Sequence, residues 1–331
     1  MERFALAAAV VLGFALTAAL CSLFVPLRRV LERREQNQQP VQPEQPRPAP
    51  LRAPLWGGLC AAAGTVAAVG VGWLAACVGQ PELLGSEGRL MTRLLTALAG
   101  SLAFGAVGLA EDLARMRSPA ALGLRRDVRL LLEALAAAFV LLLLQAAGCL
   151  PRGLDVPGAG YVLLGSAVPF LWAVLMVALA ECARIAERDE GTVCGAAFVA
   201  MLALMMAEAG LGVPGLAVLP GALAGALVAL LLWAFPPARL GVGCCGSLLA
   251  AGAIGCIPLS LDMTSLTVPL ALPFWAAGGL LAAQLLCAKR TGKPLRCWAK
   301  KHKMSPETVF LCSFALSAVG YVLALALLRW C

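Results

Sequence analysis

The sequence predicts an all-α, polytopic integral membrane protein. Hydrophobic residues make up 61% of the 331 residues, whereas charged residues make up only 13%. A soluble domain carries roughly 25% charged residues, so the composition excludes an ordinary soluble protein. No stretch of the chain suggests a second, soluble unit, and residues 1–331 are therefore predicted to form a single transmembrane domain.

Long apolar runs supply the transmembrane helices. A run of about 20 apolar residues can cross the hydrocarbon core of a bilayer as a helix, and the chain holds about ten of them. They are Phe4–Val25, Leu55–Val78, Leu90–Ala110, Leu130–Leu150, Tyr161–Ala180, Thr192–Ala209, Val218–Trp233, Leu240–Pro258, Leu266–Ala288 and Val309–Leu328.

The positions of Lys and Arg predict the orientation. With ten spans, most of the 26 basic residues fall into connections on one side of the membrane. Positive charge stays on the cytoplasmic side, so both termini are predicted to be extracytoplasmic. The longest cytoplasmic connections are a Pro/Gln-rich loop at 35–54 and a basic loop at 289–307. The net charge of +8 thus reflects orientation and contact with anionic lipid, and we predict no nucleic-acid partner.

Acidic residues at the ends of these spans are the first candidates for chemistry. Glu111 and Asp112 end the third run in GLAEDLARM, and Arg129 follows one turn into the fourth. The carboxylates could be solvated charges at a helix end. They could instead hold a hard divalent cation, since Mg²⁺ is bound by one or two carboxylates together with substrate phosphates.

Further candidate residues lie in other cytoplasmic connections. The segment ECARIAERDEG contains Glu181, Glu187, Asp189 and Glu190, which could serve a site or could balance Arg184 and Arg188. The segment LGVGCCGS surrounds Cys244 and Cys245 with glycine, and such a turn before a helix can present backbone N–H groups to phosphate. In PLWGG, Gly57 and Gly58 open the second helix and permit close approach of another backbone or a ligand.

In this order, these segments resemble the polyprenyl-phosphate N-acetylhexosamine-1-phosphate transferases, most closely the phospho-N-acetylmuramoyl-pentapeptide transferase branch of bacterial glycosyltransferase family 4. GLAEDLARM resembles the G-x-x-D-D-x-x-K segment of that family, with Glu111 and Asp112 on the aspartate pair. GLRRDVRLLLEA resembles G-L-x-x-x-x-K-L-x-x-Q, with Arg129 on the lysine and Glu133 on the glutamine.

The remaining segments extend this resemblance toward the C-terminus. ECARIAERDEG places Glu187 and Glu190 on the two aspartates of N-A-x-N-L-x-D-G-L-D-G. WAFPPARLGVGCCGS resembles F-N-x-x-P-A-x-x-F-M-G-D-x-G-S, with Cys244 on the aspartate. KRTGKPLRCWAKKHKMSPETV resembles the T-G-K and histidine-rich region of the pentapeptide-transferase branch, and it supplies Lys293 and His302.

The resemblance implies a transferase at the cytoplasmic face of the bacterial inner membrane. It would move a sugar-1-phosphate, either phospho-MurNAc-pentapeptide or phospho-HexNAc, from a UDP-amino sugar to polyprenyl phosphate, with Mg²⁺ present and UMP released. The enzyme would act in peptidoglycan or cell-envelope polysaccharide synthesis. It could form a homodimer. The implied sites are catalytic Glu111, Asp112 and Arg129, substrate-binding Glu187, Glu190, Lys293 and His302, and metal-binding Glu111, Asp112 and Cys244.

The departures from the family pattern support an alternative. A thiol is a soft ligand that is mostly protonated near pH 7, so Cys244 at an aspartate position predicts weak Mg²⁺ binding. The alternative is a catalytically inactive paralogue that binds lipid phosphate or nucleotide sugar, or acts as a membrane scaffold. A transporter is a third and weaker reading, since few ionisable residues besides Glu133 and Glu208 lie within the spans.

Overall fold

The structure, a computed structural model, describes most of the chain. The described residues are 2–38, 56–79, 88–117, 123–151, 153–156, 160–163, 165, 167–189, 191–211, 215–236, 238–291 and 305–328.

Within these residues the chain is almost entirely helical. The helices are α1 (Glu2–Gln38), α2 (Gly57–Gly79), α3 (Gly88–Arg117), α4 (Arg126–Ala146), α5 (Ala167–Ala186), α6 (Thr192–Gly210), α7 (Val218–Ala234), α8 (Gly243–Ser260), α9 (Thr267–Leu270), α10 (Leu272–Thr291) and α11 (Pro306–Leu328). A turn of 3-10 helix, Thr264–Leu266, precedes α9. Between α4 and α5, β1 (Gly153–Val156) and β2 (Gly160–Leu163) form an antiparallel hairpin.

The helices are those of a multi-pass membrane protein. In the described part of the chain, 7 helices are long and apolar enough to cross a membrane. The number rises to 8 if the bent pair Thr264–Leu270 and Leu272–Leu286 forms one span, and Val218–Ala234 is a shorter apolar helix. Helices lie at each of the ten positions predicted from sequence, but the total of ten spans stays a prediction.

Three features differ from the sequence prediction. The fifth helix begins at Ala167 and not at Tyr161, because Gly160–Leu163 pairs with β1 in a short hairpin; the all-α class itself is confirmed for the described residues. The ninth span is bent by 60° between Leu270 and Leu272, near prolines that interrupt helical hydrogen bonding. Helix α1 continues to Gln38, so residues 35–38 of the predicted loop 35–54 are helical; the rest of that loop lies outside the described residues.

Helix α8 lies at the centre of the bundle, since every residue of Gly243–Ser260 is buried. It packs against α3, where a Cβ on Gly252 would meet the Ser101 Cα at 3.1 Å. Helices α1 and α7 pack as closely, because a Cβ on Gly13 would overlap the Ala222 carbonyl oxygen. Small residues of this kind let helix backbones approach each other within a bilayer, where the hydrophobic effect supplies little force between helices.

Candidate functional site

An ionic cluster lies at the end of the bundle where α3 and α5 end and where α4 and α8 begin. Its members are the ionisable side chains that contact one another there. They are Glu111, Asp112, Arg115, Arg129, Glu133, Glu181, Arg184, Glu187 and Cys244. Buried ionisable groups are rare in membrane proteins and usually mark a functional site, so this end of the bundle is the candidate.

Asp112 connects α3 to the start of α8. Its Oδ1 accepts a hydrogen bond of 3.0 Å from the Cys244 N–H, and its Oδ2 accepts one of 2.9 Å from the Cys245 N–H. Gly243 has a φ of 72°, which side-chain-bearing residues rarely adopt, and this conformation precedes the two donors. The sequence suggested phosphate as the partner of these N–H groups. In the structure the Asp112 carboxylate accepts both of these bonds, and phosphate binding at the turn stays a prediction.

Glycines bring three backbones together beside this contact. The Gly57 and Gly58 N–H groups donate to the carbonyl oxygens of Gly241 and Val242, at 3.2 and 2.8 Å. A Cβ on Gly58 would overlap the backbone of Gly246. The expectation that the PLWGG glycines permit close approach of another backbone is confirmed, and α2 thereby fixes the turn that leads into α8.

Arg115 lies among three carboxylates. Its Nη2 donates to Glu111 Oε1 at 2.8 Å, while its Nη1 lies 3.9 Å from Asp112 Oδ1 and 3.7 Å from Glu187 Oε2. The sequence analysis assigned this residue no role. Two signals were available: Arg115 falls on the lysine of the G-x-x-D-D-x-x-K segment, and it follows Asp112 and Glu111 at the spacings of three and four residues that face each other on a helix.

Arg129 joins α4 to α3 and α5. Its Nε donates to Glu181 Oε1 at 2.8 Å, its Nη1 lies 3.6 Å from Glu111 Oε1, and Glu133 lies 4.0 Å away on the same helix. Arg184 binds the other oxygen of Glu181 at 2.6 Å. The side chain of Arg129 is only 9% exposed and that of Glu133 is fully buried. Glu208, in contrast, is buried on α6 and, within the described residues, forms no ion pair with this cluster.

Cys244 faces Glu187 at the edge of the cluster. Its thiol donates a hydrogen bond to Glu187 Oε2, with an Sγ–O distance of 3.6 Å. The Glu187 side chain is 14% exposed, so this contact lies nearer the surface than Asp112, which is 1% exposed. The structure therefore brings together four residues that the sequence predicted to meet: Asp112, Arg129, Glu187 and Cys244.

The predicted ligands Glu111, Asp112 and Cys244 do not fit Mg²⁺ as they are arranged. Among the described residues, no group of three His, Cys, Asp or Glu side chains is positioned to hold a metal ion. Both Asp112 oxygens accept backbone N–H groups, and Glu111 Oε1 is bound by Arg115. The thiol of Cys244 is a poor ligand for a hard cation.

Three predicted substrate-binding residues, Glu190, Lys293 and His302, lie outside the described residues. Their proximity to the cluster stays a prediction. The other member of that set, Glu187, is in the cluster through Arg115 and Cys244.

Comparison with known proteins shows the family to which this part of the chain belongs. The family model described as glycosyl transferase family 4 matches residues 94–262, about half of the chain, and this region includes the whole ionic cluster. The chain belongs to glycosyl transferase family 4. The match ends before the basic loop at 289–307, so Lys293 and His302 lie beyond the part that establishes membership of the family.

Three relatives of this family-4 chain carry the name phospho-N-acetylmuramoyl-pentapeptide-transferase. The protein of that name from Desulforudis audaxviator is 32% identical over 170 residues, which cover 48% of this chain and 50% of that relative. The Mycobacterium bovis protein is 27% identical over 305 residues, covering 83% of each chain. The Geobacillus kaustophilus protein is 25% identical over 296 residues, covering 88% of this chain and 86% of the relative.

Proposed function

We propose that this family-4 chain is a membrane transferase that moves a sugar-1-phosphate from a UDP-sugar to polyprenyl phosphate and releases UMP. The names of the relatives favour phospho-MurNAc-pentapeptide as the transferred group, in peptidoglycan synthesis, over a phospho-HexNAc. The protein would lie in the bacterial inner membrane, with the ionic cluster at the cytoplasmic face.

The convergence of distant residues at one end of the bundle carries this proposal. Asp112, Arg129, Glu187 and Cys244 come from four different parts of the chain, yet they share one network of contacts. A nucleotide comes from water and a lipid phosphate from the membrane, so their reaction needs a site at the interface between the two. A polar cluster at the ends of apolar helices meets this requirement.

The guanidinium groups give the cluster its means of acting on phosphate. Phosphoryl transfer depends mainly on alignment of the reactants and on stabilisation of the developing negative charge. We assign this charge stabilisation to Arg129 and Arg115, which would exchange carboxylate partners for phosphate oxygens when substrate binds. Glu187 would line the nucleotide side of the site, Glu111 would orient both guanidinium groups, and Asp112 would hold the start of α8 in register with α3.

The proposed orientation has its own test. With ten spans and extracytoplasmic termini, a fusion of alkaline phosphatase after Cys331 should be enzymatically active, whereas a fluorescent protein at the same place should remain dark. The positive-inside distribution of Lys and Arg is the physical reason. Fusions made after Lys301, in the basic loop, should give the opposite pattern and serve as the control. Bright fluorescence of the fusion after Cys331 would contradict the proposed topology.

A catalytically inactive paralogue is the second candidate, and the chemistry of the cluster favours it. Cys244 occupies a position where the family pattern that the sequence resembles has an aspartate. Three guanidinium groups, those of Arg115, Arg129 and Arg184, are already paired with carboxylates. Such a protein would bind lipid phosphate or nucleotide sugar without turnover.

Release of UMP by the purified chain decides between the two candidates. The assay would supply undecaprenyl phosphate with UDP-MurNAc-pentapeptide or UDP-GlcNAc, in Mg²⁺ and separately in EDTA. We expect the wild-type chain to release UMP, and Cys244→Ser to keep this activity because serine can still donate to Glu187. Turnover that is absent in wild type but appears in Cys244→Asp would identify a decayed enzyme. Binding without turnover in both would support the inactive paralogue.

A further inference from the structure

The position of Arg115 bears on whether this site can take a divalent cation. Its guanidinium group lies between Glu111, Asp112 and Glu187, and two of these carboxylates, Asp112 and Glu187, also contact Cys244. These are the side chains that would have to converge on a metal ion. The space between them is instead filled by a group that carries a fixed positive charge and five N–H donors.

A divalent cation and this guanidinium group compete for the same oxygens. Mg²⁺ requires oxygen ligands at about 2.0–2.1 Å in near-octahedral geometry. Glu111 Oε1 is already 2.8 Å from Arg115 Nη2 and 3.6 Å from Arg129 Nη1, so an ion bound to it would lie against two positive charges. An ion could bind there only if Arg115 left its three partners.

The second oxygen of Glu111 and the carboxylate of Asp112 do not provide another site. Glu111 Oε2 and both oxygens of Glu133 are buried and have no hydrogen-bond partner among the described residues. No group of three His, Cys, Asp or Glu side chains within those residues is nevertheless placed to hold a metal ion. Both Asp112 oxygens accept the N–H groups of α8, which the positive end of that helix also favours. Carboxyl groups outnumber guanidinium groups in the cluster, so charge alone would favour a cation. The space that Arg115 fills decides against it.

We propose that the guanidinium group of Arg115 replaces a divalent cation in this chain, so that the site excludes the ion and neutralises a phosphate ligand with arginine. The exclusion of the ion is argued from the contacts of Arg115, Arg129 and Asp112 and does not depend on the proposed transferase function. The role toward phosphate rests on the proposed transferase function.

Binding of Mn²⁺ tests the exclusion directly. The full chain, purified in neutral detergent to avoid ions held by anionic lipid, is titrated with Mn²⁺, and the free ion is measured by electron paramagnetic resonance. We expect no saturable site in wild type from micromolar to millimolar Mn²⁺. One saturable site in wild type that disappears in Glu111→Gln would overturn the proposal, and this comparison needs no variant of Arg115.

Removal of the guanidinium group supplies the converse result. Arg115→Met keeps the length of the side chain but frees the carboxylates, so we expect it to gain one saturable Mn²⁺ site. Arg125→Met is the matched control, because Arg125 is exposed and, within the described residues, pairs with Asp127 at 3.8 Å outside the cluster. It should bind no more Mn²⁺ than wild type. A folded Arg115→Met protein, judged by gel filtration, that gains no site would also overturn the proposal.

The result of the Mn²⁺ titration does not depend on whether the chain turns over substrate. Absence of Mn²⁺ binding together with absence of UMP release would remove the transferase function and leave the exclusion standing. UMP release that is equal in EDTA and in Mg²⁺ would support both. UMP release that requires Mg²⁺ would support the transferase and overturn the replacement of the ion by Arg115.

Discussion

Replacement of Arg129 by alanine is expected to lower the rate of UMP release about 10²–10³-fold, the usual cost of removing one preorganised charge-stabilising donor. The same change should destabilise the protein by about 3–5 kcal/mol, because it leaves buried carboxylates without their cation. Glu181 would lose its 2.8 Å partner, and the fully buried Glu133 would lose its nearest guanidinium group. Turnover and thermal unfolding in detergent measure the two effects separately.

Arg125 offers a control for this prediction within the same segment. Its side chain and that of Asp127 are each 85% exposed, so Arg125→Ala should change stability by no more than about 0.5 kcal/mol and should leave turnover unchanged. Arg129→Lys should restore part of the stability but less of the activity, since a single ammonium cannot reproduce the contacts of a guanidinium group. An Arg129→Ala protein as active and as stable as Arg125→Ala would exclude Arg129 from the site.

The second large effect is expected for Gly108→Ala in α3. A Cβ there would overlap the backbone of Cys244 and Cys245, and backbone atoms cannot move aside as a flexible side chain can. Overpacking of this kind costs about 1–3 kcal/mol, and here it would also separate Asp112 from the start of α8. We expect a lower unfolding temperature and a loss of UMP release, both measured on purified protein.

Gly105, one turn earlier in α3, is the matched control. A Cβ on Gly105 would meet the flexible Leu249 Cδ1 at 3.3 Å, and its nearest backbone neighbour is the Cys245 carbonyl oxygen at 3.8 Å. Gly105→Ala should therefore be nearly neutral, helped by the higher helix propensity of alanine. If Gly108→Ala and Gly105→Ala unfold at the same temperature, the close contact of α3 with α8 does not contribute to stability as we infer.

Several features of the site could be predicted from sequence because charge is conspicuous in an apolar chain. Asp112, Arg129 and Glu187 stand at the ends of apolar runs, and alternation of the connections assigns them to one side of the membrane. Their meeting in the structure agrees with that reasoning. The contacts of Arg115 could not be predicted in the same way, because membrane orientation explains a basic residue at this boundary equally well.

The hairpin and the bend in the ninth span mark where apolar runs mislead. Tyr161–Leu163 is apolar enough to join the following helix, yet these residues pair with Gly153–Val156. Hydropathy reports only that a segment prefers to leave water. It does not report which hydrogen-bonding partner the backbone takes.

Hydropathy and the placement of Lys and Arg were enough to predict a helical membrane protein, the approximate positions of its helices and the end of the bundle that carries the charges. They did not show which charges pair, because pairing depends on how the helices pack. Arg115 fills the space between Glu111, Asp112 and Glu187, and Asp112 binds the N–H groups of α8. Such pairings depend on which helices are neighbours and on how closely glycines let them approach. The spacing of residues along the chain predicts neither.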